Sequence, residues 1–146
     1  MIALIQRVSE ARVEVAGEVV GAIGEGLLAL VAVEPADGPA QVERMAERLA
    51  GYRVFPDASG RMNRSLSDVG GGLLLVSQFT LAADTRKGMR PSFSTAAHPE
   101  LGRRLFEALV EACRRRIARV ETGRFGAHMR VMLVNDGPVS FLLNAD

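Results

Sequence analysis

Three short stretches of the chain group residues able to do chemistry. The first is Ser77-Gln78-Phe79-Thr80, which closes the apolar run Leu73 to Leu81 with two hydroxyls and an amide. Read as a strand, the run places Leu74, Val76, Gln78 and Thr80 on one face and Ser77 and Phe79 on the other, because successive side chains alternate. Polar groups at the end of a core strand are a common place for a site. Spacing alone reads equally well as a strand end fraying into solvent with its hydroxyls satisfied locally. The second stretch is Glu121 to Met129, in which Gly123 and Gly126 bracket Arg124 and Phe125. Phe125 and Met129 could wall a pocket, or be core residues at a strand entrance. The third is Asn135-Asp136-Gly137-Pro138-Val139-Ser140, where proline removes a ladder donor and glycine admits unusual dihedrals. X-Pro bonds in folded proteins are cis in only about 5–6% of cases, so the residues alone read as a trans turn.

Other chemistries are disfavoured. Two histidines and one cysteine leave no cluster at metal-ligand spacing, so neither a metal nor another cofactor is expected. No Gly-x-Ser-x-Gly elbow is present, and Gly24-Glu25-Gly26 and Gly70-Gly71-Gly72 both precede strands rather than helices, which argues against a phosphate-cradling loop. His98, beside Pro99, reads as a loop or helix-cap residue and His128 as structural. The formal net charge is +1, weak for a protein whose affinity comes from neutralising many phosphates, so any RNA contact should be local. Lys87 is the only lysine among the 18 basic residues.

These stretches must be positioned by a sheet. Ala3 to Val20 reads as a hairpin turning at Ala16-Gly17, and Gly26 to Val33 is continuously apolar, as a central strand buried on both faces would be. Pro39 starts a helix carrying Val42, Met45, Ala46 and Leu49 and running to about Ala50. A short strand over Arg53 to Phe55 is stopped by Pro56-Asp57-Ala58-Ser59-Gly60, and a loop follows to the glycine triplet. Asp84 to Ser94 is an exposed loop. A second helix begins near Pro99, buries Leu101, Leu105, Ala108, Leu109 and Ala112, and ends around Arg114-Arg115-Arg116; Cys113 sits in it as a small core residue. Strands follow at Val120-Glu121, Arg130 to Val134 and Val139 to Leu143. With 146 residues and 48% hydrophobic content, one domain is expected. The class is α/β, with mixed, mostly antiparallel, barrel-like pairing and two main helices covering one face. The N-terminus lacks a signal peptide, no run approaches a membrane span, and the single cysteine suits a reducing compartment, so a cytoplasmic protein is expected.

Together, Ile5-Gln6-Arg7-Val8, Ser77-Gln78-Phe79-Thr80, Arg90-Pro91-Ser92-Phe93-Ser94, Thr122 to Met129 and Asn135-Asp136-Gly137-Pro138-Val139 resemble the D-aminoacyl-tRNA deacylase family. Each motif is short, but five in the right order span essentially the whole chain. The resemblance implies the fold of that family and a homodimer with active sites at the subunit interface. It implies hydrolysis of the ester of D-aminoacyl-tRNA and of glycyl-tRNA mischarged on tRNA-Ala, without DNA or a membrane as partner. In the family the Gly-Pro bond is cis, and the two carbonyls, here at Gly137 and Pro138, enter the partner's pocket and exclude the side chain of an L-amino acid. Ser77, Gln78, Phe79 and Thr80 then match the motif that binds the 3′-terminal adenosine and the ester. Phe125 and Met129 match the lining of the adenosine pocket, and Arg7 matches a residue that braces the Gly-Pro turn. The family usually has threonine where this chain has Ser140, which keeps the hydroxyl and loses a methyl.

A nucleophilic Thr80 would need a neighbouring base that the sequence does not assure. An aminoacyl ester is already reactive and the ribose 2′-hydroxyl can assist water, leaving the protein to orient the ester and stabilise the oxyanion, with N–H groups near Phe79 and Thr80 as donors. The competing readings are a non-catalytic tRNA-binding module using Arg114, Arg115, Arg116 and Arg119, and a generic esterase, which the lack of a Ser-His-Asp arrangement disfavours.

Overall fold

A computed structural model describes residues 1–146. β1 (Ile2–Val15) turns into β2 (Glu18–Ile23) through Ala16 and Gly17, whose φ values of 50° and 83° are those of the two-residue turn that matches strand twist. β3 (Gly26–Ala32) runs antiparallel to the first half of β1, from Ile2 opposite Ala32 to Val8 opposite Gly26. α1 (Pro39–Gly51) buries Val42, Met45, Ala46 and Leu49, and the Gln41 side chain accepts the otherwise orphaned Gly38 N–H. β4 (Phe55–Pro56) and β5 (Met62–Arg64) form a small ribbon, followed by α2 (Leu66–Val69), capped reciprocally by Ser65 and Asp68. β6 (Gly72–Ser77) lies parallel to β3, and β7 (Val120–Thr122) parallel to β6 after α3 (Pro99–Arg114). β8 (Arg130–Asn144) pairs with β1 from Ile2 opposite Asn144 to Glu14 opposite Arg130.

β8 therefore takes one edge of β1 along its length while β3 and β2 share the other. The sheet curls until β2 meets β7, where side chains replace the missing ladder: Glu121 accepts the Ala22 N–H at 3.3 Å and Arg119 donates to the Ala22 carbonyl at 2.9 Å. A mixed, mostly antiparallel, nearly closed barrel results. Alternation then builds two cores. Leu27, Ala29 and Val31 of β3 and Leu73 and Leu75 of β6 face α1 and α3 in the larger one. Leu28, Leu74 and Val76 point into the barrel with Val8, Ala11, Val13 and Ile23. No helix is long and apolar enough to cross a membrane.

Five expectations are corrected. The buried stripe of α3 is turned from the one expected, so that Ala108 is exposed and Phe106 and Val110 are buried. The strand from Leu73 stops at Ser77, because Gln78 leaves the β region at φ −143° and ψ 77° and Phe79–Ala82 form a 3₁₀ turn. Apolar residues on both sides of the break conceal it in the sequence. The two C-terminal strands are one element that passes through Gly137-Pro138 and absorbs the turn as register shifts against β1. The short strand after α1 is Phe55–Pro56 rather than Arg53 to Phe55, on an edge where proline owes no hydrogen bond. The loop up to the glycine triplet also contains β5 and α2.

Candidate active site

The parallel strands β3 and β6 end side by side, with Val31 opposite Ser77, and a cavity of about 810 Å³ opens beyond those ends. Its size suits a small-molecule or nucleoside site. The floor comes from Val31, Val33, Val76 and Ser77, and one wall from Gln78 and Phe79. The Gln78 N–H donates to the Val31 carbonyl at 2.8 Å, which fixes where the chain leaves the sheet. The 3₁₀ turn then begins, and its first N–H groups, those of Phe79 and Thr80, have no partner within it. The Gln78 side-chain amide donates to the Thr80 hydroxyl.

Phe125, Gly126, Ala127, His128 and Met129 form the facing wall. Phe125 packs on Phe106 of α3 with centroids 6.2 Å apart, and the Arg103 guanidinium lies 5.0 Å from the Phe125 ring centre. Met129 is seated by Gly123: a Cβ there would stand 2.5 Å from the Met129 sulfur, and the sulfur lies 3.4 Å from the Arg124 N–H. A side chain at position 123 would have to push the Met129 sulfur aside. Five of the nine residues singled out from the sequence thus converge on one cavity, and Thr80 is tied to it through Gln78.

The other three form a separate group outside the cavity lining. Arg7 is largely buried, donates to the Asp136 carbonyl at 3.0 Å and the Val54 carbonyl at 2.7 Å, and lies 3.6 Å from the Asp136 carboxylate. It therefore holds the residue that precedes Gly137. The Gly137-Pro138 bond is cis, where the residues alone read as trans and the resemblance implied cis. Both residues are exposed.

Sequence reasoning passed over two contributors. Asn135 accepts the Val139 N–H at 2.8 Å and donates to the Ser140 hydroxyl at 3.0 Å, stapling the turn from inside. The hydroxyl is the functional part of Ser140 in this contact, and serine supplies it as threonine would. Phe93 packs against Phe79 with ring centres 5.2 Å apart and planes tilted by 55°, and also lines the cavity. It was visible within Arg90-Pro91-Ser92-Phe93-Ser94, but nothing in the sequence indicated which of those five faces the site. His98 and His128 both line the cavity, and His98 occupies the N-cap of α3 without a side-chain cap bond.

The arginine cluster at the far end of α3 is otherwise engaged. Arg115 and Arg116 both grip Glu43 of α1, at 2.8 and 3.0 Å, Arg114 pairs with Glu111, and Arg119 closes the barrel. These contacts account for the cluster as a link between helices, leaving the tRNA-binding module without a free basic face there. Burial pushes the Cys113 thiol up to about 12, so it is neutral and inert at ordinary pH.

A family model described as D-Tyr-tRNA(Tyr) deacylase matches residues 4–144. A Methylococcus capsulatus protein named D-aminoacyl-tRNA deacylase is 71% identical, covering 98% of this chain and 94% of its own. A protein of the same name from Stenotrophomonas maltophilia is 70% identical over 98% of this chain and 99% of its own. Among solved structures, one described as c-Myc DNA Unwinding Element Binding Protein has a TM-score of 0.95 at 36% identity, covering 100% of this chain and 99% of its own. A structure described as a probable eukaryotic D-amino acid tRNA deacylase shares the fold, with a TM-score of 0.86 over 98% of both chains at 15% identity. On matches of this length and identity, the chain belongs to the D-Tyr-tRNA(Tyr) deacylase family.

Proposed function

We propose that the protein hydrolyses the ester linking a D-amino acid to the 3′-terminal adenosine of tRNA, and likewise a glycyl ester on tRNA-Ala, in the cytoplasm. The observation that carries this reading is the convergence of Ser77, Gln78 and Phe79 with Phe125 and Met129 on one nucleoside-sized cavity, in a chain about 70% identical to proteins named for that reaction. The adenosine lies between the aromatic walls, and the acyl ester sits over the start of the 3₁₀ turn. Water adds to the ester carbonyl with the 2′-hydroxyl assisting its deprotonation. The Phe79 and Thr80 N–H groups stabilise the oxyanion, and the bond to the ribose 3′-oxygen breaks as that oxygen takes a proton. A fixed donor of this kind is worth roughly 10²–10³ in rate.

The active unit is a homodimer in which Gly137-Pro138 of one protomer reaches the cavity of the other and leaves no space for an L side chain. Two features support it. The Gly137-Pro138 group is exposed and lies outside the lining of its own cavity. Half-exposed apolar residues also flank both groups, Phe79 and Phe93 at the mouth and Phe141 and Leu142 beyond the turn, as a self-complementary interface requires. Incubation with D-tyrosyl-tRNA, L-tyrosyl-tRNA and a simple aryl ester tests the whole reading. Selective loss of the D-ester is expected; equal loss of all three esters, or binding without turnover, would overturn it.

A further inference from the structure

Four exposed cations on segments that run into the cavity lining form no ion pair and no side-chain hydrogen bond: Lys87, Arg90, Arg103 and Arg124. Arg103 and Arg124 stand beside Phe125, the first over its ring and the second adjacent in the chain. Lys87 and Arg90 belong to the loop that leads into Phe93. That loop is built rather than slack. Asp84 and Ser92 exchange backbone hydrogen bonds at 2.8 and 3.0 Å across its base, and the Asp84 carboxylate takes the Arg86 guanidinium at 2.8 and 2.9 Å and its N–H at 3.0 Å. Asp84 thereby neutralises Arg86 and leaves the next two cations unpartnered. The nearest acidic side chain on α3, Glu100, forms no ion pair with either arginine that follows it. Phe79 and Phe93, which line the cavity, are 56% and 46% exposed.

Free cations around half-exposed aromatic rings are the chemistry of single-stranded nucleic acid, with rings for base faces and cations for phosphates. The strength lies in local placement, since the whole chain carries a net charge of only +1. Resting on the function proposed above, we propose that Lys87 and Arg90 on one rim, and Arg103 and Arg124 on the other, bind the backbone phosphates of the unpaired nucleotides just before the terminal adenosine. The RNA tail then enters between the Asp84–Ser92 loop and the start of α3. The opposite end of α3, whose arginines are held by Glu43 and Glu111, faces away from the RNA path.

The test compares D-tyrosyl-tRNA with D-tyrosyl-adenosine, which carries the same ester and no phosphate. In the double variant Lys87→Ala/Arg90→Ala, kcat/KM on the tRNA falls relative to kcat/KM on the adenosine ester. Its dependence on log salt flattens by about 1.4, two contacts at about 0.7 each on a single strand. Arg124→Ala shows the same effect at about half the size, and Arg44→Ala on α1, paired with Glu47, moves neither value. Equal losses on both substrates would mean that the loop shapes the cavity and meets no phosphate, and an unchanged salt slope would mean that the RNA passes elsewhere; either result overturns the proposal. Wild-type protein inert toward both D-esters would instead remove the function on which it rests.

Discussion

At Thr80 the hydroxyl meets an amide donor, which can orient an oxygen but cannot remove its proton. Thr80→Ala is therefore expected to slow single-turnover deacylation by less than about tenfold, the scale of one hydrogen bond. A 2′-deoxy terminal adenosine should lose about 10²-fold or more, as general acid–base assistance does when removed. An inactive but substrate-binding Thr80→Ala, together with normal turnover of the deoxy ester, would make Thr80 the nucleophile. Cys113 gives a separate check. Its thiol, raised by burial to about 12 from an ordinary 9.0, favours the neutral form in the folded state. That contribution to stability is complete below about pH 9 and is lost as pH climbs toward 12. Iodoacetamide at pH 8 should leave the native protein unlabelled and react only after denaturation; rapid native labelling would contradict the burial.

Gly123 links an element to the site. In Gly123→Ala the new Cβ displaces the Met129 sulfur, the movable end of a flexible side chain, with Val13 at 3.5 Å behind it. Stability should fall by no more than about 1–3 kcal/mol, while KM for the adenosine ester rises because the cavity wall has moved. A melting curve and a KM measured on the same sample separate the two effects. Asn135→Ala should behave differently, losing both staples of the turn, so that activity drops while the cavity still binds adenosine. Elements of this kind were unevenly legible from sequence. The helices at Pro39 and Pro99 and the double-faced strand at Gly26 announce themselves by period, because burial dictates the pattern directly. Ser77 to Thr80 stands out by its polar groups but reads as strand throughout, since Phe79, Leu81 and Ala82 are as apolar as the strand before them. Arg7 emerged only through a resemblance. Its partners Asp136 and Val54 lie 129 and 47 residues away, and no local pattern encodes such a contact.

For the molecule as a whole, the position of Gly137 decides whether one chain suffices. Gly137 has φ +149°, and a Cβ there would stand 2.5 Å from the Val139 side chain and 2.7 Å from the Val139 nitrogen, so Gly137→Ala must disturb its own turn. Phe125→Ala damages the cavity instead. If the turn serves the partner's cavity, mixing the two inactive variants under subunit exchange restores about a quarter of wild-type activity, one sound site in each mixed dimer and half the dimers mixed. No recovery would place turn and cavity in the same chain. The pairing of β1 with β8 has a different bearing, on the order of events in synthesis. On the edge of β1 away from β3, Ile2 has no neighbour until Asn144 is in place, and every pair of that longest ladder joins residues more than a hundred positions apart. While the chain is still being made, that edge of β1 is open, exposing hydrogen-bond donors and acceptors that any other nascent strand could take. A chain broken off before Arg130 should therefore aggregate rather than persist as a smaller protein, and the ribosome must finish the last fifteen-residue strand before the first is safe.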